Sequence, residues 1–379
     1  MRLRKAVRWL VIVLVVLVVA LTVWSRTGRT PPEGAGELRL GEVHALGQDT
    51  GAGNLLGLQP YITPRDYATE ARFQGALEGY LAAARERRLI NEKTVVVFPE
   101  FLGSWLVASG EKRAALEAKG SEEAMTLIAA SNLASFAAAY AKGHAQDRMK
   151  EALFRMKARE MARIYQRAFS QLAKEYGVFI VAGSIVLPSP RVENGELAIG
   201  DGPLYNCSVV YGPDGRAREP VVLKAFPTGD ELPFISPGKV QDLPVFATPA
   251  GKLGVLICAD SWFPEAYARL KQLKVDVIAV PSFGFTDPQQ TWTGYSGFPN
   301  PADVYGPDVN HITVQEAWRK YALAGRMTSS GARAGVNPFL RGELWDLTVA
   351  GTACAVRGKQ VESYPTQDYG SIINVWLEK

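Results

Sequence analysis

Residues 251–265 read GKLGVLICADSWFPE. Leu253–Ile257 is an unbroken apolar run, the pattern of a strand buried on both faces. It delivers Cys258 at its end. Asp260 or Ser261 can then cap a helix, with Pro264 near its start, where the missing N–H costs nothing. A strand–Cys–helix turn exposes the side chain and sets helix N–H groups beside it, which lowers a thiol's pKa below its usual ~8.5. A lone cysteine is also at home as a small buried hydrophobe. This segment alone leaves Cys258 between nucleophile and core residue.

Two further strand ends carry reactive groups. Residues 94–101, TVVVFPEF, place Glu100 just past a β-branched run stopped by Pro99. A carboxylate there is partly desolvated, which raises its pKa toward that of a useful base. A solvated loop acid is the plain alternative. Residues 220–234, PVVLKAFPTGDELPF, place Lys224 after an apolar strand and before a Pro-Thr-Gly turn. An ammonium at that position can stabilise an oxyanion or a thiolate. Alone, it reads as a solubilising strand-end lysine. In open α/β sheets, active-site groups gather past the strand ends. Cys207, in LYNCSVV, and Cys354, in AGTACAV, lie within apolar strands and read as core; a disulfide between them stays open if the domain is exported.

The rest of the chain alternates strands and helices. A helix is expected over 66–89, with Phe73, Leu77, Tyr80, Leu81 and Ala84 on one face. Residues 111–147 are Ala-rich and helical, with a break near Gly143, and 148–176 form a long helix ending at Gly177. Strands are expected at 53–58, 178–181, 207–211, 221–223, 275–280, 333–336 and 348–356, with a turn at Pro213-Asp214-Gly215. Residues 284–311 read as a long loop before a helix at 313–327. Such alternation indicates an α/β architecture.

Composition narrows the function. The 379 residues carry 42 Lys+Arg against 38 Asp+Glu, and this near-balance leaves no nucleic-acid footprint. Three Cys cannot make a disulfide scaffold. His44, His144 and His311 are far apart, with no HExxH and no paired CxxC, so no metal site is expected. The N-terminus is different. Residues 9–24, WLVIVLVVLVVALTVW, follow Arg2, Arg4, Lys5 and Arg8. A bilayer span takes about 20 apolar residues. The run reads either as an uncleaved signal anchor or as a cleavable signal peptide. The anchor is favoured, because Ala20-Leu21-Thr22 is a poor cleavage site. The expected organisation is a membrane segment at 1–25, a linker at 26–50 and a catalytic domain at 51–379, extracytoplasmic on a single-pass anchor or secreted if the segment is cleaved.

Taken in chain order, a Glu after a strand, a Lys after a strand and a Cys at a strand–helix elbow, carried by VVVFPEF, LKAFPTGDELPF and GVLICADSWFPE, resemble the carbon–nitrogen hydrolase (nitrilase) superfamily. The segment VPSFG at 280–284 is also similar. The resemblance spans about residues 50–356. It implies a four-layer α-β-β-α sandwich of two packed sheets, with no cofactor. It puts the catalytic triad on Glu100, Lys224 and Cys258, and a second active-site acid on Glu231, with Asp230 the weaker rival. Ala259, Phe283 and Trp262 are the candidate substrate-binding residues. For Trp105, Phe285, Trp292 and Tyr295, ordinary packing is favoured. The implied chemistry is hydrolysis of a small-molecule, non-peptide amide through a Cys thioester, in a possible homodimer. The alternative is acyl transfer to an amine, as in apolipoprotein N-acyltransferases, which resemble this domain but carry several membrane spans. The separation of Glu100 from Lys224 is longer than the family usually shows. Ala259-Asp260 also stands where nitrilases carry an aromatic-Glu pair, which disfavours nitrile hydrolysis.

Overall fold

The computed structural model describes residues 2–32 and 36–379. Two six-stranded sheets organise the chain. In the first, the strand order is Leu40–Leu46, Gly370–Trp376, Asn54–Gln59, Thr94–Val97, Phe179–Val181, Val210–Tyr211. In the second it is Val245–Thr248, Gly251–Val255, Val277–Ala279, Ala334–Asn337, Ala353–Arg357, Gln360–Tyr364.

The TVVV run shows why both faces of the first sheet are apolar. Successive side chains point to opposite faces of a strand. Val95 and Val97 join one core with Val255, Ala279 and Val336 of the second sheet. Val96 and Phe98 join the other, with helices α2 (Glu70–Glu86) and α6 (Arg148–Tyr176). The two sheets approach closely at Gly57, where a Cβ would lie 2.7 Å from Val336 Cγ2.

The remaining helices complete the set. α1 (Arg2–Arg26) projects from the body, with its apolar side chains from Ala6 to Trp24 exposed. The segment between Glu100 and α6 is a helical insertion: α3 (Arg113–Leu116), α4 (Ser121–Ser131) and α5 (Leu133–Lys142). α7 (Pro264–Gln272) and α9 (Leu323–Ser330) pack on the second sheet through Tyr267, Leu270, Leu323 and Met327, and α8 (Val314–Tyr321) precedes α9.

Several expectations need correction. Residues 40–46 are a strand, not linker, because their backbone pairs in parallel with the C-terminal strand, from Leu40 against Gly370 to Leu46 against Val375. Residues 33–35 of that expected linker lie outside the described residues. The helix expected over 313–327 breaks at Ala322, and the 111–147 region breaks at 117–120 and at Asn132 as well as at Gly143. All three cysteines are free and buried, so Cys207 and Cys354 do not pair.

Candidate active site

Each candidate side chain is positioned by backbone pairing just beyond a strand. After Val97, Phe98 N–H bonds Val181 O at 2.9 Å and Glu100 N–H bonds Ser282 O at 3.3 Å. Phe101 takes a left-handed φ of 58° and is held through its N–H to Ser184 Oγ at 2.9 Å. This kink turns Glu100 inward, where it is 1% exposed. Gly183 permits it: with φ +68°, a Cβ there would sit 2.1 Å from Pro99 O.

Lys224 follows the short Val222–Leu223 strand, and its N–H bonds Asn206 O at 2.9 Å. Its Nζ lies 2.7 Å from Glu100 Oε1 and 2.6 Å from Glu231 Oε2. Glu231 is held by its own turn, accepting Thr228 N–H at 2.8 Å. Its rival Asp230 is exposed. Asn206 joins the two acids, donating from Nδ2 to Glu100 Oε1 at 2.9 Å and to Glu231 Oε1 at 2.8 Å. Its own Oδ1 is buried without a partner.

Cys258 N–H bonds Pro281 O at 2.8 Å, and the residue adopts φ +50°. A left-handed conformation is costly for a residue with a Cβ, and such strain concentrates where side-chain aim matters. The thiol lies 3.6 Å from Phe283 O and interacts with the Glu100 carboxylate. Asp260 does not cap the helix at Pro264, whose N-cap position is Phe263. Its carboxylate accepts Ile257 N–H at 3.1 Å, Ala225 N–H at 2.9 Å and Phe226 N–H at 2.8 Å, which fastens the residues after Lys224 to the Cys258 elbow.

The electrostatics follow from burial. Desolvation raises the Glu100 pKa, Lys224 opposes the rise, and Glu231 adds to it. Burial works against the Lys224 charge, but Glu100 and Glu231 outweigh it and hold the ammonium well above its ordinary range. Burial and then Glu100 push the Cys258 thiol well up, against the pull of Lys224. The lowered thiol expected from a helix end is therefore reversed: here desolvation and a neighbouring carboxylate dominate. Asp260, also buried, is pushed up to about 7.

The remaining candidates divide. Ala259 follows Cys258 in the Cys258–Trp262 turn and is partly exposed. The Phe283 ring meets Phe101 edge-on at 5.5 Å and Trp105 at 6.3 Å, and the Phe101 ring centroid lies 5.9 Å from Lys224 Nζ. Phe283 thus stands with the cluster through both its carbonyl and its ring. Trp262 turns away, into a satellite core with Trp292, Tyr295 and Trp318 under the 284–311 loop. A separate cavity of about 580 Å³, lined by Arg191, Glu219, Leu223, Lys239, Asp242 and Arg269, includes none of the four buried site residues.

Two participants were not anticipated. Asn206 lies mid-strand in an apolar run, and a polar side chain there must find a partner or pay desolvation; that was its available signal. Asp260 had a signal too, as an acid directly beside the nucleophile candidate, but its N–H partners 34 and 35 residues away had none.

Comparison with known proteins bears on the family and the fold. A model of the family described as carbon-nitrogen hydrolase matches residues 56–318. Deaminated glutathione amidase of Mus musculus is 30% identical over 133 residues, 33% of this chain and 39% of that protein. Omega-amidase NIT2 of Xenopus tropicalis is 30% identical over 132 residues, 32% of this chain and 43% of that protein. The matched stretch is thus less than half the length of either relative. Among solved structures, a double mutant of the amidase from Nesterenkonia sp. AN1 in complex with acrylamide is similar in fold. It has a TM-score of 0.53 at 12% identity, covering 86% of this chain and 92% of that one.

Proposed function

The chain belongs to the carbon–nitrogen hydrolase family, and on that premise we propose that it hydrolyses a small-molecule, non-peptide amide through a thioester on Cys258. The observation that carries the reading is the buried group in which Lys224 Nζ bonds both Glu100 and Glu231 and the Cys258 thiol interacts electrostatically with Glu100. The thiol rests protonated, so the nucleophile forms only as the reaction proceeds. Glu100, made a stronger base by burial, takes the Sγ proton as sulfur attacks the carbonyl carbon. Lys224 Nζ and the Ala259 N–H stabilise the tetrahedral oxyanion, worth a few kcal/mol per donor. Glu100 returns its proton to the leaving amine as the C–N bond breaks. Water, deprotonated by Glu100, attacks the thioester, which releases the acid and restores the thiol. Glu231 and Asn206 hold Lys224 and Glu100 in register throughout.

The test is an amide panel on the full chain, with acid and amine products quantified and the acyl group trapped as a mass increase on the Cys258 peptide. Free acid from a thioester-forming enzyme supports hydrolysis, whereas a new amide on an added amine points to acyl transfer. Amide turnover surviving in Cys258→Ala sinks the mechanism.

The packing of α2 and α6 on one sheet and α7 and α9 on the other is what we take as the four-layer α-β-β-α sandwich. α1 we read as a single bilayer span: its 25 residues extend about 37 Å, enough for a hydrocarbon core of about 30 Å. The basic residues before the apolar run support a reading with the catalytic domain on the extracytoplasmic side.

A further inference from the structure

We propose that the α4–α5 hairpin is a second membrane contact, with α5 lying in the headgroup region of the bilayer that α1 enters. This rests on the reading of α1 as a span. The sequence of α5 is LASFAAAYAK, and none of its side chains is buried. Leu133 is 49% exposed, and Ala134, Ser135, Ala137, Ala138 and Ala141 are exposed with it. A helix facing water normally turns a charged stripe outward, yet residues 124–146 contain no Asp or Glu, and Lys142 is their one Lys or Arg. α4 and α5 meet at 101°. At 11 and 10 residues, each is about 15 Å long, too short to cross a bilayer but suited to lying in its plane.

The position of the hairpin identifies the occupant as lipid. Arg29, three residues past the end of α1, donates to Ser131 O at 3.2 Å, Asn132 Oδ1 at 3.1 Å, Gly110 O at 2.7 Å and Glu111 Oε2 at 3.1 Å. Lys112 Nζ donates to Thr27 O at 2.6 Å and to Trp24 O, and lies 4.5 Å from the Trp24 ring centroid. Glu111 sits buried beneath this joint, accepting from Lys157 Nζ at 2.9 Å and Asn132 Nδ2 at 3.0 Å. The residues following α1 and the α4–α5 junction at Ser131–Asn132 are therefore bound into one corner, and α5 starts from it close to Trp24, an interfacial residue type. The basic groups match this placement. Lys142, the last residue of α5, and Arg148 and Lys150, in the first turn of α6, are exposed, with the Arg148 guanidinium 4.3 Å from the Tyr140 ring centroid. Apolar body, tyrosine and flanking cations fit a surface bearing anionic headgroups.

The test reconstitutes the full chain into phosphatidylcholine–phosphatidylglycerol vesicles containing a nitroxide-labelled lipid. A thiol-reactive fluorophore is placed at Ala137→Cys, at Val16→Cys within α1, or at Lys359→Cys as an aqueous reference, each with Cys258→Ser. We expect Ala137 to be quenched at least about threefold more than Lys359, as for a probe seated at headgroup depth. Adding Leu133→Asp and Ala134→Asp, both on the exposed face, should bring Ala137 down to the Lys359 level while Val16 stays quenched. Quenching at Val16 but not at Ala137 overturns the proposal and leaves the span intact. Loss at both sites removes the span reading and this one with it. Energy transfer between donor- and acceptor-labelled Ala137 copies, without lipid quenching, names a second copy as occupant and also overturns it.

Discussion

Two regions of this molecule invert the ordinary partition of residues, in opposite directions. At the strand ends, Glu100, Lys224 and Glu231 are buried, at 1%, 1% and 4% exposure. On α1 and α5, Leu, Val and Ala face outward. A buried charge is costly unless paired and hydrogen-bonded, and the first region satisfies that condition through Lys224 and Asn206. An exposed apolar surface is costly unless something non-aqueous covers it. On the readings proposed above, one region points inward to chemistry and the other outward to a surface.

The largest expected effect breaks the chemistry alone. Cys258→Ala should abolish amide turnover and leave thermal unfolding nearly unchanged, because the proposed mechanism uses the thiol as nucleophile while no buried polar group depends on it alone for a hydrogen bond: Glu100 keeps those from Lys224 and Asn206. Lys224→Ala should lower kcat at least about a hundredfold and, unlike Cys258→Ala, destabilise the fold by about 3–5 kcal/mol, since it strands two buried carboxylates. An unchanged denaturation midpoint would show that the acids do not depend on that ammonium. Glu100→Gln should match the rate loss with a smaller stability cost, because the amide still accepts from Lys224 and Asn206. In the parent enzyme, kcat/KM should fall on the acid side as Glu100 takes up its proton, at a pH above the usual carboxylate range.

Asp260 gives a smaller, signed effect. Its folded pKa of about 7 stands above its ordinary value of 3.8, so the folded state binds the extra proton. Its contribution to stability is therefore full at low pH and lost as pH rises from about 4 to about 7. Asp260→Asn should flatten that portion of the pH–stability curve, measured by denaturant midpoints; a slope as steep as the parent's would dismiss the assignment. The smallest effect is expected at Cys207→Ser. That thiol donates to Ile185 O at 3.3 Å, a bond a hydroxyl can keep, and kcat should stay within about twofold. A dead Cys207→Ser enzyme would reopen the choice of nucleophile.

Much of the site was legible because its signals are local. Glu100, Lys224 and Cys258 each follow a short apolar run that ends abruptly, and strand ends are where a rigid sheet can aim a side chain. The helix over 148–176, with Gly177 at its end, was legible for the same reason: its apolar period and its left-handed cap, φ +66°, lie within one segment. The Leu40–Leu46 strand was not legible, since its partner is 330 residues away and GEVHAL carries a weak alternation. Trp262 shows the opposite error: its neighbours in sequence include the nucleophile candidate, but its ring packs into the satellite core under the 284–311 loop.

By itself, the sequence determined which side chains are chemically eligible: one cysteine at a strand–helix elbow, an acid and a lysine after strands, and an N-terminal run apolar enough to enter a bilayer. Only the tertiary structure decided how they act on one another. Residue type and local order do not set dielectric or distance, and these raise the Cys258 thiol instead of lowering it, bind Lys224 between two acids, recruit Asn206 and turn Asp260 from a cap into a brace. The same holds for α5: its sequence reads as an ordinary Ala-rich helix, and only its place beside the end of α1 gives its exposed face a meaning.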